Sequence, residues 1–244
     1  MNWSDEGIIL SVRPHGETAA IVDLLTRAHG RHVGLVYGGR SRRLRPVLQI
    51  GNYVDVTWKA RLAEQLGYMT VALRKGYAAS AMENALALAG LASVCGLSRL
   101  LPERDPHPRL FEITLYVLSF LDDAAVWPAL YVRWELALLG ELGYGLDLSA
   151  CASTGATEHL AYVSPKSGRA VSAMAGEPYK DRLLPLPAFL MGGASGEVTT
   201  PDVVAGLALT GHFLEARALR PRELEVPEAR RRFAALVASA KGSS

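Results

Sequence analysis

Two periods of apolar positions divide the chain near residue 76. Before it, apolar and polar residues alternate. Ile8, Leu10 and Val12 share one phase, as do Val33, Leu35 and Tyr37, then Val54, Val56 and Trp58, then Met69, Val71 and Leu73. A period of two turns one side of each strand toward a core. Residues 18–26 (TAAIVDLLT) supply a further strand, with a turn at Ala28, His29, Gly30 and Arg31. About five strands in about 75 residues is the size of a small closed barrel, of either OB-fold or SH3-like topology.

After residue 76 the period becomes helical. Ser80 and Glu83 have the spacing of a capping box, and the Ala-rich run through Leu86, Leu88, Leu91, Val94 and Leu97 predicts a buried helix. Pro106 and Pro108 suit a helix start ahead of Phe111, Leu115, Leu118 and Leu121. A third helix is expected over 128–142 on Leu130, Trp134, Leu138 and Leu142, ended by Gly143, Tyr144 and Gly145. The pattern dissolves over 146–196 into Gly, Ser, Pro and short apolar pairs, as in an irregular insert. Helix resumes at Thr200, Pro201 and Asp202, a cap followed by proline, and a last basic helix starts near Pro227.

Composition narrows the class. Of 244 residues 50% are hydrophobic, which excludes a disordered tail and allows one large domain or two to three small ones. No apolar run reaches the roughly 18–20 residues that span a bilayer. The acidic N-terminus lacks a basic region followed by an apolar run, so no secretory leader is expected. Two cysteines, Cys95 and Cys151, fit a reducing compartment. A cytoplasmic protein without membrane contact is expected.

The net charge of +2 argues against a nucleic-acid partner until it is divided. Residues 1–76 hold eleven basic and six acidic groups, net +5; the remainder holds fifteen and eighteen, net −3. The densest point is Gly38, Gly39, Arg40, Ser41, Arg42, Arg43, Leu44 and Arg45, between two predicted strands. Guanidinium forks match phosphate oxygens, and paired glycines let a backbone approach closely. Trp58, Tyr53 and Tyr68 lie on neighbouring strands, where an exposed ring can stack on a base. The residues alone also allow a merely solvated loop, and the phase of Trp58 with Val54 and Val56 favours the core. A second cluster, Arg217, Arg220, Arg222 and Arg230 to Arg232, reads as solvated in its last three members, offset by Glu223, Glu225 and Glu228.

Catalytic signatures are missing. Residues 192–196 (GGASG) lack the lysine of a phosphate loop and the spacing of a nucleophile elbow, and the six histidines show no paired spacing. Cys95 falls in the Ala/Leu-rich helix and reads as a core thiol. Cys151 and Thr154, then Ser172 and Ala175 after 17 intervening residues, trace the skeleton of a four-cysteine zinc ribbon with three ligands replaced. One thiolate does not hold a structural zinc, so no metal, cofactor or catalytic residue is expected.

The segments Gly7–Thr18 (GIILSVRPHGET), 51–61 (GNYVDVTWKAR) and 134–148 (WELALLGELGYGLDL) followed by Cys151 resemble the RecO family, bacterial recombination mediators of the RecF pathway. The resemblance runs over essentially the whole length. It implies an α+β multidomain chain: an N-terminal OB-fold β-barrel (1–76), then an α-helical domain (77–148 and 199–244) carrying a degenerate zinc-ribbon-like insert (149–198). It also implies a non-enzymatic DNA repair protein that binds single- and double-stranded DNA, anneals complementary strands, and with RecR helps load RecA onto strands coated by single-strand binding protein (SSB). On that reading Arg40, Arg42, Arg43, Arg45, Lys59 and Arg61 hold phosphates of two strands. Arg99, Arg104, Arg109 and Arg133 adjoin apolar helix faces and are the candidates to receive the acidic C-terminal tail of SSB. An RNA-binding OB-fold protein and a protein-interaction scaffold are the competing readings.

Overall fold

A computed structural model describes residues 1–62, 64–191 and 197–240. The glycine-rich stretch 192–196 and the polar tail 241–244 lie outside the described residues. The chain divides into two compact units, Met1–Ala124 and Ala125–Ser244.

In the first unit, β1 (Asn2–His15), β2 (Ala19–Thr26), β3 (Gly30–Val36), β4 (Tyr53–Lys59) and β5 (Tyr68–Lys75) form a closed barrel in the order β1-β2-β3-β5-β4. The 14-residue β1 serves two neighbours. Its first half pairs with β4 (Asn2↔Lys59 to Ile8↔Tyr53), its second with β2 (Gly7↔Thr26 to His15↔Ala19), with a register shift between Ile9 and Ser11. The barrel closes where β3 meets β5 in parallel, Leu35 opposite Tyr68. A five-stranded Greek-key barrel closed in this order is an OB-fold, which removes the SH3-like alternative. Ile9, Val22, Leu24, Val36, Val54, Val56, Trp58 and Met69 fill its core.

The phase of β3 departs from the sequence reading. His32, Gly34 and Val36 point inward, whereas Val33 and Leu35 are half-buried and Tyr37, just past the strand, is exposed. Gly34 explains the inversion, because the Met69 side chain lies where a Cβ would stand, with Cγ 2.6 Å from that point. Next along, His32 fits edge-on against Trp3 and Trp58, at centroid distances of 5.0 and 4.9 Å. A glycine and a histidine thus occupy core positions that a hydrophobicity pattern assigns to surface.

Three helices complete this unit: α1 (Tyr77–Ala81), α2 (Ala85–Ser98) and α3 (Pro108–Leu118). The cap of α2 is Asn84, not Ser80; its Oδ1 accepts from the amides of Leu86 and Ala87 at 2.8 and 3.3 Å. Ser80 is taken up in α1. Cys95 lies fully buried on α2, donating to the Ile9 carbonyl at 3.6 Å, and burial pushes its thiol up to about 12.

The second unit holds α4 (Trp127–Glu141), the three-stranded sheet β7-β6-β8 built from β6 (Leu160–Val163), β7 (Ala170–Ser172) and β8 (Leu184–Pro185), the short α5 (Ala173–Gly176), α6 (Thr200–Phe213) and α7 (Glu228–Ser239). The cap of α6 lies one residue earlier than predicted. Thr199 Oγ1 accepts from the Asp202 amide, and Asp202 answers by accepting from the Thr199 amide at 3.0 Å.

Arg230 corrects the reading of a wholly solvated basic helix. It is buried, and its Nε and Nη2 donate to the two oxygens of the buried Glu135, each at 3.1 Å. Arg231 pairs with Glu228 at the surface and Arg232 is exposed. Among the described residues no helix is long and apolar enough to cross a membrane.

Candidate nucleic-acid interface

The arginine segment between β3 and β4 is ordered by its own backbone. Gly38 takes a left-handed φ of +64°, and Gly39 packs against Ala20, whose Cβ lies 2.7 Å from where a glycine Cβ would stand. Ser41 then starts a helical turn: its carbonyl accepts from the Leu44 and Arg45 amides at 3.2 and 3.0 Å, and Leu48 donates to Leu44 at 2.8 Å. Leu44 and Leu48, four residues apart, pack on the barrel core. Asn52 closes the segment, donating to the Pro46 and Val47 carbonyls and accepting from the Ala78 amide at the start of α1. Sequence reading missed Asn52; its only signal was an amide side chain between a glycine and an apolar strand.

With the leucines turned inward, Arg42, Arg43 and Arg45 are exposed. None of the three guanidinium groups has an ion-pair partner among the described residues. Arg40 differs: Nη1 donates to the Gly16 and Glu17 carbonyls at 3.0 and 2.9 Å, so this side chain fastens the β1–β2 turn to the segment. Lys59 is exposed at the end of β4, directly opposite Tyr68 on β5, and Arg61 is exposed just beyond it.

Four of the six acids in residues 1–76 are engaged elsewhere. Asp5 meets His29 at 2.8 Å, Glu6 meets Arg27 and Arg74, Asp23 meets Arg31 and Arg99, and Asp55 meets Arg74. These four acids therefore do not offset the exposed cations of the arginine segment and the β4 end.

The three candidate rings separate cleanly. Trp58 is 2% exposed and its Nε1 donates to the Leu66 carbonyl at 3.0 Å, which keeps it in the core. Tyr53 is half-buried beneath Arg74, whose guanidinium lies 5.4 Å from the ring centroid. Tyr68 is exposed and stacks on Tyr37.

The four helix-side arginines are divided between the two units. In the first unit, Arg99 faces Asp23 at 3.5 Å, Arg104 donates to the Gln65 carbonyl at 3.2 Å with a φ of +64°, and Arg109 is exposed at the start of α3. In the second unit, Arg133 donates from Nε and Nη2 to the Phe189 carbonyl, beside a cavity of about 330 Å³ lined by Val126, Ala129, Leu130 and Phe189.

At the ribbon-like skeleton, Thr154 and Ser172 still face Cys151. Hydrogen bonds from the Thr154 hydroxyl, then from the amide and hydroxyl of Ser172, pull the thiol down to about 6. The amide contact is 3.3 Å. One thiol, two hydroxyls and the methyl of Ala175 do not make a zinc donor set. The loop is held by hydrogen bonds to this sulfur together with backbone bonds from Cys151 to Ala156 and from Ala152 to Ala170. Among the described residues no group of three or more His, Cys, Asp or Glu side chains is placed to hold a metal ion.

Comparison with known proteins agrees with this architecture. The family profile described as "Recombination protein O N terminal" matches residues 1–77, and "Recombination protein O C terminal" matches residues 82–224. A DNA repair protein RecO of Methylobacterium nodulans is 55% identical over 240 residues, covering 97% of this chain and 98% of that protein. The RecO of Rhodospirillum centenum is 56% identical over 236 residues, covering 96% and 93%, and that of Methylorubrum extorquens 53% identical over 241 residues, covering 97% and 98%. With an OB-fold barrel, a helical second part and this likeness along nearly its full length, the chain belongs to the RecO family of DNA repair and recombination proteins.

Proposed function

We propose that this chain acts, without chemistry of its own, as a recombination mediator. It binds single- and double-stranded DNA, anneals complementary strands, and with RecR helps load RecA onto SSB-coated single strands. The observation that carries this reading is the set of Arg42, Arg43 and Arg45, exposed without an acidic partner among the described residues on a turn anchored by Leu44 and Leu48. Lys59 and Arg61 extend the same charge, and Arg40 holds the segment in place. Cations fixed on a barrel screen two phosphate backbones at once, which lowers the repulsion that opposes pairing. We assign the acidic tail of SSB to the mostly apolar cavity beside Arg133, whose lining also holds Glu197. Arg99, Arg104 and Arg109 remain secondary candidates; Arg99 faces Asp23, and Arg104, like Arg133, donates to a backbone carbonyl.

The test is R42A/R43A/R45A across a salt series. Phosphate contacts release counterions, so affinity should fall and the slope of log affinity against log salt should flatten by about 2. Annealing of SSB-coated strands should fall in parallel, and SSB lacking its tail should lower it for the unaltered protein. Unchanged affinity and slope in a folded triple variant would remove the loop from the mechanism. Matched DNA and RNA oligonucleotides separate this reading from an RNA-binding one.

A further inference from the structure

Tyr37 and Tyr68 are the unexplained feature of the barrel surface. The rings lie 4.9 Å apart at an interplanar angle of 19°, yet they are 63% and 51% exposed. Two large aromatic side chains stacked in water leave an apolar ring face uncovered. The fold places them deliberately: the inverted phase of β3 turns Tyr37 outward, and the parallel closure of β3 on β5 sets Tyr68 beside it. A cavity of about 230 Å³ lies against the pair, with Leu44 and Thr57 in its lining. Arg43 and Lys59 line the same cavity, so the ring pair is flanked by cations from the arginine segment and from the end of β4.

We infer that the Tyr37–Tyr68 pair is a stacking platform for an unpaired base of single-stranded DNA, with Arg43 and Lys59 holding the phosphates on either side of that base. This rests on the DNA-binding reading given above and adds a division of labour to it. The charge complementarity of the flanking cations selects a polyanion, and the exposed ring face selects one whose bases are unstacked. A base inside a duplex already has both faces covered and gains nothing from the rings; a base in a single strand exchanges water for an aromatic face. The arginine segment therefore binds both forms, and the tyrosine pair discriminates between them. During annealing a base is held on the rings only until a complementary strand supplies a better stack, so the platform releases the product.

The experiment titrates the full chain, Y37A/Y68A and Y37F/Y68F with a single-stranded oligonucleotide, its duplex, and a single strand of the same length carrying abasic sites. The unaltered protein should prefer the base-bearing single strand to the abasic one by about tenfold or more. Y37A/Y68A should lose that preference, bind the duplex as before and keep its salt slope. Y37F/Y68F should restore the preference, because the ring face and not the hydroxyl is used. Equal affinity of the unaltered protein for base-bearing and abasic strands overturns the inference and requires no variant to fold. So does a Y37A/Y68A loss that is as large on duplex and abasic DNA. The parent reading fails differently, by the absence of a salt slope that depends on Arg42, Arg43 and Arg45. A protein that keeps that slope and ignores bases refutes the tyrosine assignment alone.

Discussion

Glu135 is a carboxylate with no exposed surface, and every partner it needs comes from side chains of its own unit. Arg230 grips both oxygens, Tyr131 donates to Oε1 at 2.9 Å, and Thr210 Oγ1 lies 2.5 Å from Oε2. Arg230 in turn donates to the Leu207 carbonyl at 2.6 Å, tying α7 to α6. A buried pair is costly to split, since the survivor keeps its desolvation penalty without its counter-charge. E135A should destabilise by about 3–5 kcal/mol in denaturant unfolding, and E135L/R230M should recover most of that loss. A double variant as unstable as the single one would show that the network, not the lone charge, sets the cost. Three consecutive arginines could not reveal which one faces inward from composition alone. The clue lay in spacing: Phe233 and Val237, at i+3 and i+7, are buried on the stripe that also carries Arg230.

At the scale of elements, caps and glycines decided where the patterns began and which way they faced. The α6 start is closed by Thr199 and Asp202 in reciprocal hydrogen bonds, one residue from the predicted cap. T199A should cost about 1 kcal/mol, read as a lower unfolding midpoint at unchanged denaturant slope, and T199S should cost much less. The α2 cap was legible as a cap but assigned to the wrong residue: Ser80 and Glu83 have the right spacing, yet Asn84 holds the extended backbone that a cap requires. Four strands were legible from period-two alternation and β2 from the largely apolar run at residues 18–26. The inward face of β3 was not, because the alternation of Val33, Leu35 and Tyr37 is real while the opposite face is filled by His32, Gly34 and Val36. Only Met69, arriving from β5, makes a glycine a core residue.

Over the whole molecule, His32 and Cys151 push stability in the same direction with pH, whereas Asp23 and Cys95, whose pKa values burial raises, act in the opposite sense. Burial holds the His32 imidazole down to about 4 from an ordinary 6.5, and neither ring nitrogen has a hydrogen-bond partner. Between those values the unfolded chain binds a proton that the folded chain refuses, so stability falls as pH drops from 6.5 toward 4. Cys151 acts in the same sense at higher pH. Its thiol ionises near 6 when folded and near 9 when unfolded, so its contribution is full above 9 and lost as pH falls to 6. Below these windows Asp5 and Asp147, both held low by hydrogen bonds, lose their contributions in turn. Unfolding measured across pH should therefore show the contributions of His32 and Cys151 rising between about 4 and about 9. H32Q should flatten the lower window and C151S the upper one. Because His32 lies in the first unit and Cys151 in the second, a probe in each unit should report its own window. A variant that left its slope intact would assign the titration elsewhere.

The sequence by itself determined the barrel and the helices, because alternation and helical spacing are local properties of a chain. It also located the excess positive charge, since a count over residues 1–76 needs no coordinates. Family membership was legible for the same reason, from contiguous segments. Tertiary structure alone decided which charges are free. Arg40 lies among three exposed arginines in sequence and is bound to carbonyls 23 and 24 residues away, while Arg230 lies beside Arg231 and is buried against a residue 95 positions back. It alone also narrowed the three candidate rings to Tyr68, with Trp58 sealed in the core, and paired Tyr68 with Tyr37, which it meets only when β3 closes on β5. The physical reason is common to these cases: a side chain's exposure and pairing depend on what the rest of the fold brings to it, and sequence neighbours do not carry that information.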